Sequence, residues 1–129
     1  MPAHVLIADD DPSILLSLEF LMKKQGYQVL IARDGTEAYE LLRQHRPDVL
    51  LLDIMMPGMN GYELCTYVRQ TPGFEQTKVV FLSAKSKEAD IQQGYNAGAD
   101  LYLPKPFSTR ELAAKVRELI QLNPATGNA

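Results

Sequence analysis

Val49-Leu50-Leu51-Leu52-Asp53 is the stretch that decides the fold. Its first four side chains are apolar without a break, so the segment has no polar face to show to water. That is the composition of a parallel strand covered on both sides, and it makes Val49 to Leu52 the central strand of a sheet. Pro47 stands just before it, and an acid, Asp53, stands where the apolar run stops.

Reading outward from this strand gives the same rhythm in both directions: a short apolar run, a polar turn, then a helix-periodic segment. Upstream, Pro47 restricts the residue before it and ends a helix near Arg46. Asp34 caps that helix with Glu37 three residues later, in the manner of a capping box, and Ala38, Leu41 and Leu42 form its inner stripe. Tyr27 to Ala32 is a strand. Before it, Asp11-Pro12 caps a helix whose apolar face is Ile14, Leu15, Leu18, Leu21 and Met22 and whose stop is Gly26. His4 to Ala8 is the first strand.

Downstream, Asn60 opens a helix with Glu63 at its third position, with Leu64, Tyr67 and Val68 on one side and Pro72-Gly73 as breaker. Lys78 to Leu82 is the fourth strand. The fourth helix is expected from about Ser86 to Ala97. It carries Gly94, which should make it the weakest and most mobile of the five. Leu101 to Leu103 is a short fifth strand. Ser108 with Glu111 reads as a capping box for a last helix lined by Leu112, Val116, Leu119 and Ile120.

Five βα units of this kind imply an α/β fold: a doubly wound five-stranded parallel sheet with right-handed crossovers and helices on both faces. Residues 1–122 form the domain, and residues 123–129 are expected to be a flexible tail with nothing to bury and no linker to a further unit.

Composition agrees with one compact domain. The chain has 129 residues, 46 % hydrophobic and 22 % charged, with the apolar residues spread along its length. A net charge of −3 argues against a direct nucleic-acid partner or attraction to anionic lipid. The apolar stretch Ile14 to Met22 is interrupted by Glu19, has no basic leader and is too short to span a bilayer. Cys65 stands alone, so no internal disulfide forms, and with His4 and His45 it makes no zinc spacing; the expected setting is a reducing cytoplasm. Both histidines read as surface residues.

In such a sheet the working site lies beyond the carboxyl ends of the strands at a topological switch point. With strand order 2-1-3-4-5, Asp9 and Asp10 after the first strand would adjoin Asp53 after the third. Three crowded carboxylates raise one another's pKa unless a cation neutralises them. Magnesium suits them, since it takes carboxylates and phosphate oxygens and keeps several waters. Ser83 ends the fourth strand and Lys105 follows the fifth. Together these groups supply what phosphoryl transfer needs: Asp53 as nucleophile, a metal, and Lys105 and Ser83 as donors to phosphate oxygens. Lys105 would pair with Asp53 at rest and with the phosphate afterwards.

These residues lie in four segments, Ala8-Asp9-Asp10-Asp11-Pro12, Leu52 to Gly61, Leu82-Ser83-Ala84-Lys85 and Leu103-Pro104-Lys105-Pro106-Phe107. In that order and spacing, over about Val5 to Leu122, the chain resembles the receiver domains of response regulators in two-component signalling. The resemblance implies a flavodoxin-like fold and phosphorylation of Asp53 by a histidine kinase or phosphotransfer protein. It implies magnesium on Asp10, Asp53 and the main-chain carbonyl of Met55, with Asp9 acting through a bound water, and a cis Lys105-Pro106 bond. It assigns a switch to Ser83 and to Tyr102, whose ring is expected to turn inward on phosphorylation. The face of the fourth helix, fifth strand and fifth helix would then meet a downstream protein, an output domain or a second copy of the chain. The side chains of Met55 and Lys85 fall at the mouth of the water path that limits the phosphoryl lifetime, and self-dephosphorylation should be slow.

Other functions fit less well. A flavin protein of the same fold would carry a Ser/Thr/Gly-rich phosphate loop after the first strand, where three acids stand instead. A haloacid-dehalogenase-type phosphatase expects an aspartate two residues after its nucleophile, and Met55 is there. The alternative from another class is a pseudo-receiver acting as an unphosphorylated docking module, which would normally have lost an acid or the lysine.

Overall fold

The computed structural model describes residues 2–122; the expected tail, 123–129, lies outside them. Five strands alternate with five helices in chain order: β1 His4–Ala8, α1 Pro12–Lys24, β2 Gln28–Ala32, α2 Gly35–Gln44, β3 Val49–Leu52, α3 Gly61–Gln70, β4 Lys78–Ser83, α4 Glu88–Asn96, β5 Leu101–Pro104 and α5 Thr109–Gln121. All pairings are parallel, and the strand order is β2-β1-β3-β4-β5.

The sheet divides the core in two because successive strand side chains point to opposite faces. Leu6, Ala8, Leu50, Leu52, Val79, Phe81 and Tyr102 face α2, α3 and the underside of α4. Val5, Ile7, Val49, Leu51, Val80, Leu82 and Leu103 face α1 and α5. All four β3 residues are buried, which explains why the strand reads as unbroken leucine and valine.

Cap chemistry places the helix starts. Asp11 accepts from Ser13 N–H with Pro12 in the first turn, and Asp34 accepts from Glu37 N–H. Glu37 bonds back to Arg33 N–H rather than to Asp34. The full reciprocal box belongs to Asn60 and Glu63. At α5 the structure has its forward half, Ser108 Oγ accepting from Glu111 N–H at 3.2 Å.

α4 begins two residues later than the sequence suggests. Its N-cap is Lys87, whose side chain has no oxygen to offer, and no side-chain cap bond forms. Gly94 also has a packing role that propensity does not show. It is the buried residue of α4, and a Cβ there would come within 2.7 Å of the Tyr102 ring and 3.1 Å of Phe81. The glycine lets the helix lie directly on those two rings.

Candidate functional site

The register of the central strands builds the site. Ala8 pairs with Leu52 and Ser83 with Pro104, so the residues that follow β1, β3 and β5 emerge at the same edge as the end of β4. Asp53 N–H still donates to Ala8 O at 2.9 Å, which fixes its backbone beside Asp9. Carboxylate oxygens of Asp9, Asp10 and Asp53 lie within 4.8 Å of one another. Asp9 is 2 % exposed and Asp53 8 %, whereas Asp10 is open to solvent. Asp11, the next acid, turns away to cap α1.

Each buried carboxylate is oriented. Asp9 Oδ1 accepts from Asp11 N–H at 2.9 Å, and Oδ2 accepts from Lys105 Nζ at 3.0 Å. Asp53 Oδ1 accepts from Ile54 N–H at 2.8 Å, with Lys105 Nζ 3.9 Å away. The expected pairing of Lys105 with Asp53 is present as the longer of two ion pairs; the hydrogen bond goes to Asp9. The more deeply buried of the two acids has the greater need of a partner. Burial pushes the Asp53 carboxyl up to about 6, and the Asp9 charge adds to the rise; Lys105 and the Ile54 and Met55 N–H groups pull against it.

Lys105 is carried by a main-chain bond from its N–H to Ser83 O at 2.7 Å, and the Lys105-Pro106 peptide is cis. Ser83 is 1 % exposed and its Oγ accepts from Lys85 N–H at 3.1 Å. Tyr102 lies beyond the carboxylates. Its hydroxyl donates to Lys85 O at 2.6 Å, and Lys85 N–H in turn bonds Ser83 Oγ, so Lys85 connects Tyr102 to β4. The ring is already inside, 5 % exposed and packed on Phe81. The ring thus occupies the inward position that the resemblance assigns to the switch.

Met55 is exposed at 60 %, and Lys85 Nζ lies 3.8 Å from Asp90 Oδ1. The loop that holds Met55 is clamped from outside. Gly35 N–H donates to Pro57 O at 3.0 Å, and a Cβ on Gly35 would overlap Met59 O at 1.6 Å. Gly58, at φ +79°, supplies a turn that side chains disfavour. Sequence reasoning missed Gly35 and Gly61 as contact residues, because a glycine needed for close approach looks in sequence like one needed for a turn.

The donors suit a hard cation. Three carboxylates with oxygens within 4.8 Å of one another would hold a magnesium ion, which takes carboxylate oxygens directly and through its waters.

The match to known proteins extends over this whole arrangement. A family model for the response regulator receiver domain covers residues 5–117. The chain belongs to the response-regulator receiver domains. Among solved structures, a protein assigned as a response regulator of Chloroflexus aurantiacus is 36 % identical, with a TM-score of 0.86 over 92 % of this chain and 98 % of that one. The signal receiver domain of a signal transduction histidine kinase from Syntrophus aciditrophicus is 31 % identical, with a TM-score of 0.88 over 98 % and 96 % of the two chains. A chemotaxis protein of Vibrio cholerae is also 31 % identical, with a TM-score of 0.85 over 92 % and 99 %. Receiver domains are phosphoacceptor signalling modules rather than enzymes acting on an external substrate. No helix among the described residues is long and apolar enough to cross a membrane.

Proposed function

We propose that this receiver domain takes a phosphoryl group on Asp53 from a histidine kinase or phosphotransfer protein and passes the signal to a downstream protein or output domain in the cytoplasm. The observation that carries the proposal is Asp53 itself: a buried strand-end carboxylate with two acids within 4.8 Å and an ammonium 3.9 Å away. In the reaction a carboxylate oxygen of Asp53 bonds to phosphorus as the bond from phosphorus to the donor's imidazole nitrogen breaks, leaving the imidazole free.

Asp10, Asp53 and the Met55 carbonyl would hold magnesium, with Asp9 acting through water. When bound, the ion would neutralise the phosphoryl oxygens and the crowded acids. Lys105, already between Asp9 and Asp53, need move little to bond a phosphate oxygen. Ser83 would release Lys85 N–H to bond another, and that change reaches Tyr102 through the hydroxyl link.

A donor protein must cover this edge. The outer face of α1, which starts beside the site, leaves Leu16 at 69 % and Phe20 at 70 % exposed, and next to them Lys23 and Glu19 form an ion pair at 2.7 Å. An apolar stripe of that size is a reasonable seat for a helical donor.

Incubation with acetyl phosphate and magnesium, followed by intact-mass measurement, tests the proposal. One added phosphoryl group is expected, lost in Asp53→Asn. An unchanged mass would favour the pseudo-receiver reading, a domain that docks without being phosphorylated.

A further inference from the structure

Two tyrosine hydroxyls reach main-chain carbonyls at the start of α4. Tyr102 donates to Lys85 O at 2.6 Å, and Tyr62, in the first turn of α3, donates to Asp90 O at 3.2 Å. Their rings flank Phe81, with centroids 5.9 Å and 5.6 Å from it. At this end the helix lacks a side-chain cap and Ile91 is only half-buried, and Lys85 is further held by its N–H on Ser83 Oγ and by an ion pair to Asp90.

The other end is held differently. Arg69 Nε donates to Gly98 O at 2.8 Å, Nη1 to Thr77 O at 2.7 Å, and Nη2 to the Asp100 carboxylate at 2.7 Å. That carboxylate also accepts from Val79 N–H at 2.8 Å. The turn after α4 is thus tied by several bonds to α3 and β4, while the two tyrosine hydroxyls join the start of α4 to β5 and α3.

Tyr62 also has a firm connection on its other side. The residue before it, Gly61, abuts the phosphoacceptor backbone: a Cβ there would lie 2.6 Å from Asp53 O and 2.9 Å from Ile54 Cα, and Gly61 N–H donates to Ile54 O at 2.9 Å. With no clearance at Gly61, a shift of the Asp53-Ile54 backbone is passed to the start of α3. Close-packed contacts transmit displacement rather than absorb it.

We propose that Tyr62 is a second positioning residue of the switch, coupling the backbone at Asp53 to the first turn of α4 by a route separate from Ser83 and Tyr102. It deepens the phosphoacceptor reading of Asp53 and rests on it. The ring packs on Phe81 and the hydroxyl makes the link, so Tyr62→Phe removes the link and keeps the packing.

The test is a titration of the full chain with beryllofluoride and magnesium, a phosphoryl mimic, followed by amide NMR. In the native protein, signals near Asp53 and those of residues 87–91 should both move. In Tyr62→Phe the signals near Asp53 should still move and the Tyr102 ring should still respond, while the displacement of the 87–91 signals falls at least about threefold, the scale of one hydrogen bond. A displacement of 87–91 as large as in the native protein would overturn the proposal and leave Tyr62 a packing residue. If the native protein showed no change near Asp53, the phosphoacceptor reading itself would fall, and the two failures are told apart by the native titration.

Discussion

Asp53 combines burial with a neighbouring like charge, and both favour its protonated form. Its carboxyl is raised from 3.8 to about 6 in the folded chain without metal. The sign follows from linkage: a carboxyl that binds its proton more tightly when folded adds stability below its unfolded value, near pH 4. That contribution is lost as pH rises through about 6. Above that, ionised Asp53 leaves the fold less stable than the protonated carboxyl would, by on the order of 3 kcal/mol. Asp53→Asn should therefore stabilise the metal-free protein at pH 8 and change little near pH 4, as denaturant titrations in EDTA would show. Equal stabilities at pH 8 would contradict the geometry. At the same scale, neither Met55, apolar and exposed, nor Lys85, drawn toward Asp90, can act as a base toward water attacking the phosphoryl group. Met55→Asn with Lys85→Glu should raise phosphate release by at least about tenfold, or ~1.4 kcal/mol of barrier. No acceleration would place the control elsewhere. The acids, the serine and the lysine were legible in sequence because each ends a strand. The pairing of Lys105 with Asp9 was not, since strand ends name the candidates for a contact but not the distances among them.

Elements were legible where caps and periodicity agree. Asp11-Pro12, Asp34 and Asn60-Glu63 mark helix starts that the structure keeps, and β3 announces its burial on both faces. α4 was the hardest element to read because its grip on the sheet is aromatic and hydroxyl-mediated, not a leucine stripe. Gly94 shows the consequence. On propensity alone, alanine in a helix interior gains about 1 kcal/mol over glycine. Here the added methyl meets the Tyr102 ring at 2.7 Å, so Gly94→Ala should instead destabilise by about 1–3 kcal/mol, the scale of overpacking. Urea titration measures it. A gain in stability would mean that Tyr102 leaves its inward position at little cost.

The whole molecule explains why residues from Asp9 to Lys105 form one site: parallel strands in the order β2-β1-β3-β4-β5 deliver their carboxyl ends to a single edge. The order was expected from five uninterrupted βα units, whereas the packing of the Tyr102 ring on Phe81 was not, because the burial of a strand tyrosine depends on what lies over it. The same edge continues onto α1. Leu16→Ala with Phe20→Ala should slow transfer from a phosphorylated donor protein at least about tenfold, the loss of two apolar anchors, while uptake from acetyl phosphate stays unchanged. Equal slowing with both donors would mean that the two side chains support the fold and not the encounter. Reductive trapping reads directly whether Asp53 carries the phosphoryl group. Borohydride converts an aspartyl phosphate to homoserine, which peptide mapping then locates after treatment with acetyl phosphate and magnesium. Homoserine is expected at position 53; homoserine at position 9 or 10, or no conversion in a protein that has gained the phosphoryl mass, would contradict phosphorylation of Asp53.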